Sequence, residues 1–187
     1  MSEAISAMPG MRYSGIVELA EAGKRGMIVL RGDLALPALA AAVKQAIGAD
    51  IPTQRRVETG EKGAVAWMSP DELLLFVEYQ SVAGVVAALE AALAGEFVTI
   101  ADVSDARAVF TLRGAQARDV LAKLCPVDFA ELPVGGIRRS RAGQVAAAIW
   151  REGEQDFTLI CFRSVARYMW ETLSLMARPG GEVGLYR

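Results

Sequence analysis

Histidine is absent from all 187 residues of the sequence. Histidine is the commonest general base in enzymes, a frequent zinc ligand and the usual partner of a nucleophilic serine or cysteine. Its absence excludes Ser-His and Cys-His catalysis and any histidine-containing metal site on this chain. Carboxylates, Lys, Tyr and Cys could still transfer protons, so catalysis is disfavoured rather than excluded.

Other scarce features narrow the class of protein further. Cys125 and Cys161 are the only cysteines, a number that favours reduced thiols over a disulfide framework. No segment approaches the roughly 20 apolar residues that span a bilayer, and the first ten residues lack the features of a signal peptide. The sequence therefore predicts a cytoplasmic protein that has no membrane partner.

The chain has no run of basic residues that resembles a nucleic-acid-binding arm. The 20 basic and 22 acidic residues are well mixed and give a net charge of −2. Phosphate binding depends on clustered Lys and Arg, so nucleic acid is not an expected partner. Hydrophobic residues make up 53% of the chain, which hints at a buried interface, although many of them are alanine. The length predicts one domain, residues 1–187.

An internal repeat organises the sequence. The apolar run Met27–Gly32 is echoed by Val109–Gly114, at an offset of 82 residues, and both runs end in Arg-Gly. Ala64–Trp67 is echoed by Ala147–Trp150 at an offset of 83 residues. We therefore expect a pseudo-symmetric fold in which Gly32 overlays Gly114 and Trp67 overlays Trp150.

The pattern around these runs predicts the fold class. In each copy a strand is followed by a helical pattern, two strands joined by a polar turn, and a second helix. This predicts an α+β fold with a duplicated strand-helix-strand-strand-helix unit and largely antiparallel sheets. The halves cover about residues 26–94 and 108–177, Phe97–Ile100 forms a linking strand, and residues 178–187 form an extended C-terminal tail.

Several segments carry candidate chemistry beside a simpler interpretation. Arg31-Gly32, Arg113-Gly114 and the basic segment Gly135–Arg141 could bind an anion, or could be turn glycines and a solvated strand edge. The acidic residues near the join of the halves are Asp102, Asp105, Asp119 and Asp128. They could act as general acids or bases, or they could form turns and helix caps. Cys125 precedes Pro126 at a helix C-terminus, which disfavours a thiolate. No catalytic, cofactor-binding or metal-binding residue is assigned.

A partner interface is the site that the sequence predicts. Trp170 lies off the main apolar stripe of the last helix, where it could anchor a partner, and Arg163 and Arg167 could add charge complementarity. Leu185 and Tyr186 give the tail apolar groups to dock. The alternative is that Trp170 packs under the tail within the monomer.

Four stretches resemble the gamma subunit of heterotetrameric sarcosine oxidase. They are Trp67–Leu75, Asp102–Gly114, Asp119–Asp128 and Phe162–Trp170. The same pattern more distantly resembles the folate-binding fold of glycine-cleavage T-proteins, whose duplicated strand-helix units agree with the repeat.

The resemblance implies a non-catalytic gamma subunit with alpha, beta and delta subunits as its partners. The whole assembly would demethylate sarcosine oxidatively to glycine, producing hydrogen peroxide and methylene-tetrahydrofolate. FAD, FMN, NAD, zinc and tetrahydrofolate are then expected on the other subunits and none on this chain. The alternative is a free-standing folate-binding protein or an aminomethyltransferase of the T-protein type.

Overall fold

The structure, a computed structural model, describes residues 4–186 and divides into two compact units. The central unit is the continuous segment Lys24–Ser104, and the terminal unit joins the chain up to Gly23 with the chain from Asp105 onward. The predicted halves, 26–94 and 108–177, lie one in each unit. That they form a single domain of residues 1–187 stays a prediction, and its first three residues and Arg187 lie outside the described range.

Groups of two or three strands are separated by single helices along the described chain. In chain order they are β1 (Arg12–Ser14), β2 (Glu18–Glu21), β3 (Gly26–Arg31), α1 (Pro37–Ile47), β4 (Val57–Gly60), β5 (Gly63–Ser69), β6 (Glu72–Val77), α2 (Val82–Ala92), β7 (Thr99–Asp102), β8 (Arg107–Arg113), α3 (Ala117–Ala122), β9 (Ile137–Ala142), β10 (Val145–Arg151), β11 (Asp156–Phe162) and α4 (Ala166–Met176).

Each unit contains one sheet whose neighbouring strands are all antiparallel. The central sheet has the order β4-β5-β6-β3-β7, and the terminal sheet has the order β1-β2-β8-β11-β10-β9. This confirms the predicted fold class, a duplicated α+β unit with largely antiparallel sheets. Each copy has three strands between its helices rather than two. The additional strand is the short β4 in one copy and the arginine-rich β9 in the other, and neither shows a sustained alternation of apolar residues.

The two sheets exchange the strands that precede each repeat. β2 precedes the first copy in sequence but pairs with β8 of the second copy, with Leu19 opposite Leu112. β7 precedes the second copy but pairs with β3 of the first, with Ile100 opposite Leu30. Each sheet is therefore completed by the linker that leads into the other copy.

Strand register confirms one predicted equivalence and corrects the other. Arg31 pairs with Glu72 as Arg113 pairs with Asp156, so Gly32 and Gly114 follow equivalent strand ends. Trp67 pairs with Leu73, and the equivalent pair in the second copy is Arg151 with Phe157. Trp67 is therefore equivalent to Arg151 and not to Trp150. The predicted overlay of Trp67 on Trp150 is wrong by one residue, and a shift of one residue places the two side chains on opposite faces of their sheets.

A separate hydrophobic core lies under the helices of each unit. In the central unit α1 begins at Pro37, ends at Ile47 and buries Leu39, Val43 and Ile47. The residue after it, Gly48, has a φ of 80° and supplies the left-handed cap. In the terminal unit the core joins β8, β10 and β11 to α3 and α4. Burial of these apolar surfaces is the main stabilising contribution in each unit.

Candidate partner-binding site

A C-terminal arm, residues 178–186, is held to the terminal unit by the side chain of Asp119. This carboxylate lies in the first turn of α3 and is only 5% exposed. Its Oδ2 accepts a hydrogen bond from the backbone N–H of Gly184 at 2.9 Å, and its Oδ1 accepts from those of Leu185 at 3.1 Å and Tyr186 at 3.3 Å. One buried carboxylate therefore satisfies three consecutive backbone donors of the arm.

Lys123 fixes the beginning of the same arm. Its Nζ donates to the carbonyl of Met176 at 2.9 Å, at the end of α4, and also to the carbonyl of Gly181. An ammonium near the last carbonyls of a helix interacts favourably with the helix dipole. Asp119 and Lys123 together give the arm a defined path.

The anchored arm presents apolar side chains to the outside. Val183 is 60% exposed and Leu185 is 64% exposed, whereas Tyr186 is partly buried against the core of the terminal unit. The arm holds Leu185 outward on a backbone that Asp119 fixes.

The two arginines predicted for the interface have different surroundings. Arg163 donates to the backbone carbonyls of Ile5 at 2.9 Å and Ser6 at 3.1 Å, so it fastens the N-terminal segment. Arg167 is 84% exposed and pairs with Glu171 one turn later at 2.9 Å. Of the two, Arg167 is the one that a partner could reach directly.

The interpretation that places Trp170 off the apolar stripe of the last helix is wrong. Trp170 is 6% exposed, and its ring centroid lies 6.1 Å from that of Phe110 within the core. Ala166, Trp170 and Leu173 recur at the three- and four-residue spacing of one helix face, so Trp170 lies on the buried stripe. Tyr168 is exposed instead. The assignment of these residues to a partner interface stays a prediction.

The structure brings the predicted interface residues together only in part. Leu185 and Tyr186 share one anchor, Asp119, while Arg163 and Arg167 flank the start of α4. Asp119 and Lys123 were not predicted as anchors. Their hydrogen bonds reach residues 53 to 67 positions away in sequence, so no local pattern marks them.

The repeated Arg-Gly pairs have a structural explanation. Arg31 forms an ion pair with Asp71 at 2.7 Å, and Arg113 forms ion pairs with Asp156 at 3.0 Å and Glu152 at 3.2 Å. In both copies the arginine closes the end of the first strand onto the hairpin that follows. The hydrogen bond to Asp156 is the largest influence that raises the pKa of Arg113.

The acidic residues near the join of the halves act locally. Asp102 accepts a hydrogen bond from the backbone N–H of Ser104 at 2.9 Å, and Asp128 does the same for Ala130. Both are turn-forming contacts, as the simpler interpretation predicted. Asp105 is exposed, and Asp119 holds the arm. The basic segment forms β9, which lies at the edge of its sheet.

Both cysteines are buried. Burial raises the pKa of the Cys125 thiol to about 12 and that of the Cys161 thiol to about 11. The proximity of Arg107 lowers the pKa of Cys161 slightly against this effect. Neither thiol is therefore prepared for nucleophilic chemistry at neutral pH.

We expect the cysteines of the native protein to react with a thiol reagent such as Ellman's reagent at pH 8 only as fast as the protein unfolds. A pKa near 12 leaves the thiolate fraction roughly a thousandfold below that of an ordinary cysteine. Absorbance at 412 nm measures the rate, and the urea-unfolded chain serves as the control. Rapid reaction of either thiol in native protein would contradict the buried placement.

Among residues 4–186 no group of three or more Cys, Asp and Glu side chains is arranged to hold a metal ion. Within the same range, no helix has the length and hydropathy required to cross a membrane.

Comparison with known proteins relates the chain to one family. Residues 31–177 match the family described as sarcosine oxidase, gamma subunit. Sarcosine oxidase subunit gamma from Arthrobacter sp. is 34% identical over 157 residues, which cover 76% of this chain and 76% of that protein.

Two solved structures agree with this match. A chain of the heterotetrameric sarcosine oxidase from Corynebacterium sp. U-96 superposes with a TM-score of 0.78 at 28% identity, covering 87% of this chain and 85% of that one. The glycine cleavage system aminomethyltransferase T from Bartonella henselae superposes with a TM-score of 0.65 at 19% identity, covering 86% of this chain and 46% of that enzyme. The second match shows a shared fold.

Proposed function

Because this chain belongs to the sarcosine oxidase gamma subunit family, we propose that it works as the non-catalytic gamma subunit of a heterotetrameric sarcosine oxidase. The observation that carries the proposal is the family match over residues 31–177. The superposition on a chain of a heterotetrameric sarcosine oxidase, at 85% coverage of that chain, supports the same role.

The partners in this proposal are the alpha, beta and delta subunits. The assembly demethylates sarcosine oxidatively to glycine and forms hydrogen peroxide and methylene-tetrahydrofolate. FAD, FMN, NAD, zinc and tetrahydrofolate belong to those other subunits. The lack of histidine supports this division, since a flavin attached through histidine requires that residue. The buried, neutral thiols of Cys125 and Cys161 support it as well.

The arm and α4 each supply residues that contact the partner in this proposal. Leu185 is exposed on a backbone fixed by Asp119, and Arg167 is exposed on α4. An apolar group held in one conformation loses little entropy when a partner covers it. Arg163 and Tyr186 hold the neighbouring segments in place, and Trp170 supports α4 from within the core.

A free-standing folate-binding protein or an aminomethyltransferase of the T-protein type is the second candidate. The superposition on an aminomethyltransferase T favours it at the level of the fold. At 19% identity this likeness carries no residue roles, and the chain covers 46% of that enzyme.

We expect the purified chain to be colourless, to produce no hydrogen peroxide from sarcosine and to co-purify with flavin-containing subunits from native extract. The reason is that the cofactors and the chemistry reside on the partners. An absorbance spectrum after a denaturing wash, a peroxidase-coupled assay and affinity capture of a tagged chain measure the three properties.

The same capture separates the two candidate functions. A lone chain that binds tetrahydrofolate and recruits no other subunit would replace the gamma-subunit proposal with the T-protein type. The tag attached to an unrelated soluble protein of similar size controls for nonspecific capture.

A further inference from the structure

Phe97 is a fully exposed aromatic side chain on the central unit. Its exposed fraction is 102%, the highest among the large hydrophobic residues that the structure describes. Phe97 was predicted to begin a linking strand, but β7 begins two residues later at Thr99. Single exposed apolar residues are common on protein surfaces, so the surroundings of Phe97 decide what it means.

The backbone around Phe97 is fixed, and it directs the side chain outward. The N–H of Glu96 donates to the carbonyl of Leu93 at 3.0 Å, and the N–H of Val98 donates to that of Glu96 at 3.0 Å. Val98 packs against the core of the central unit, close to Gly32. The bond from Val98 to Glu96 closes a tight turn centred on Phe97, and at this turn the side chain of Phe97 is fully exposed while Val98 packs inward.

An apolar helix face and an open groove lie next to Phe97. Nearly all the exposed residues of α2 are small and uncharged. These small residues are Ala83, Gly84, Ala87, Ala88, Ala91 and Ala92. Small residues allow the backbone of another protein to approach closely. The groove, of about 400 Å³, is lined by Glu90, Leu93, Glu96, Val98, Thr99 and Ile100.

Charge distinguishes this surface from an ordinary exposed patch. Glu90 and Glu96 are exposed at the groove. Arg31 lies opposite Thr99 in the sheet, but its charge is matched by ion pairs with Asp71 and Glu72. The surface around Phe97 is therefore apolar at its centre and acidic at its rim, and a complementary partner carries an apolar recess with basic residues around it.

We propose that this surface, defined by the outward face of α2, Phe97 and the adjacent groove, docks against a basic-rimmed apolar recess on another subunit of the oxidase assembly. The inference rests on the proposed gamma-subunit function. Pairing of two copies through the same surface is disfavoured, because it would place Glu90 and Glu96 of one chain beside the same residues of the other. Phe97 is the anchor, and buried aromatic residues of this kind dominate the affinity of many interfaces.

The test is co-expression of the gamma chain with tagged alpha, beta and delta subunits. Phe97→Asp is expected to lower the affinity for the remaining complex by at least about 30-fold, while the melting temperature of the isolated chain stays unchanged. Val134→Asp is the matched control, since Val134 is 39% exposed and belongs to the terminal unit. The double variant Glu90→Lys, Glu96→Lys is expected to slow association and to reverse its dependence on salt.

Each outcome decides the inference. Loss of the Phe97→Asp chain from the complex, with retention of Val134→Asp, supports it. If both variants assemble as well as the parent, the docking surface is overturned while the gamma-subunit function stands. If the parent itself recruits no subunit, both fail together. A parent dimer that Phe97→Asp separates, with assembly unaffected, assigns the surface to a second copy and overturns the proposal.

Discussion

Replacing Trp170 with alanine is expected to destabilise the terminal unit by about 3–5 kcal/mol, the usual cost of removing a large buried aromatic side chain. Trp170 is 6% exposed and packs against Phe110 in the core beneath α4. The cavity that remains cannot be filled by the small residues beside it, such as Ala166 and Ala177. The melting temperature should fall by roughly 6–20 °C, and hydrogen exchange of β8 and β11 should accelerate.

Tyr168→Ala is the matched control for this prediction. Tyr168 lies on the same helix and is 43% exposed, so its removal should cost no more than about 1 kcal/mol. A Trp170→Ala chain that melts with the parent would contradict the burial of this side chain. Because the chain has two compact units, exchange of the central strand β3 serves as an internal reference that should not change.

Replacing Asp119 with alanine is expected to release the C-terminal arm. The change removes the acceptor of three backbone hydrogen bonds, each charge-assisted, and a bond of this kind contributes about 1.5–3 kcal/mol. Because the three bonds share one carboxylate and are not additive, we expect a net loss of roughly 3 kcal/mol in the free energy of arm opening. Exchange of the amides of residues 184–186 should accelerate about 100-fold.

Asp128→Ala is the control for the Asp119 variant. Asp128 is also an aspartate with a backbone partner, but it accepts one bond, from Ala130, at an exposed turn. Its removal should leave exchange in the arm unchanged. Unaltered protection of residues 184–186 in Asp119→Ala would show that other contacts hold the arm. Weaker assembly of Asp119→Ala with the other subunits would support the arm as a contact surface.

The features that the sequence predicted are those with local signals. The run that ends at Arg31-Gly32 and its counterpart at Arg113-Gly114 are continuous apolar segments followed at once by a helical pattern. The ends of α1 follow from Pro37 and Gly48, which fix the backbone where they occur. Such features depend on a few neighbouring residues, and the duplicated fold class follows from their repetition.

The errors concern features that only tertiary pairing decides. Trp67 and Trp150 were predicted to be equivalent because each copy has a tryptophan near the end of a similar apolar run. The strand register within each sheet shows that Arg151 is the residue equivalent to Trp67. Trp170 was assigned to the wrong side of α4. The apolar stripe of a helix is wide, and the sequence pattern does not decide on which side of its margin a residue lies. The strand exchange and the Asp119 anchor join residues far apart in sequence, so no local pattern predicts them.

The exchange of β2 and β7 has a consequence for the order in which the chain acquires its structure. The central unit is continuous and has all its strands once Asp102 is available. β1 and β2 are made before it, yet β8, the partner of β2, comes after it, and the contact of Thr111 with Ala20 spans 91 residues. During translation the edge of β2 therefore stays unpaired while the central unit folds, and an unpaired edge is open to mispairing with other chains. Of the two sheets, the one that includes the earlier-synthesised strands is the later to close.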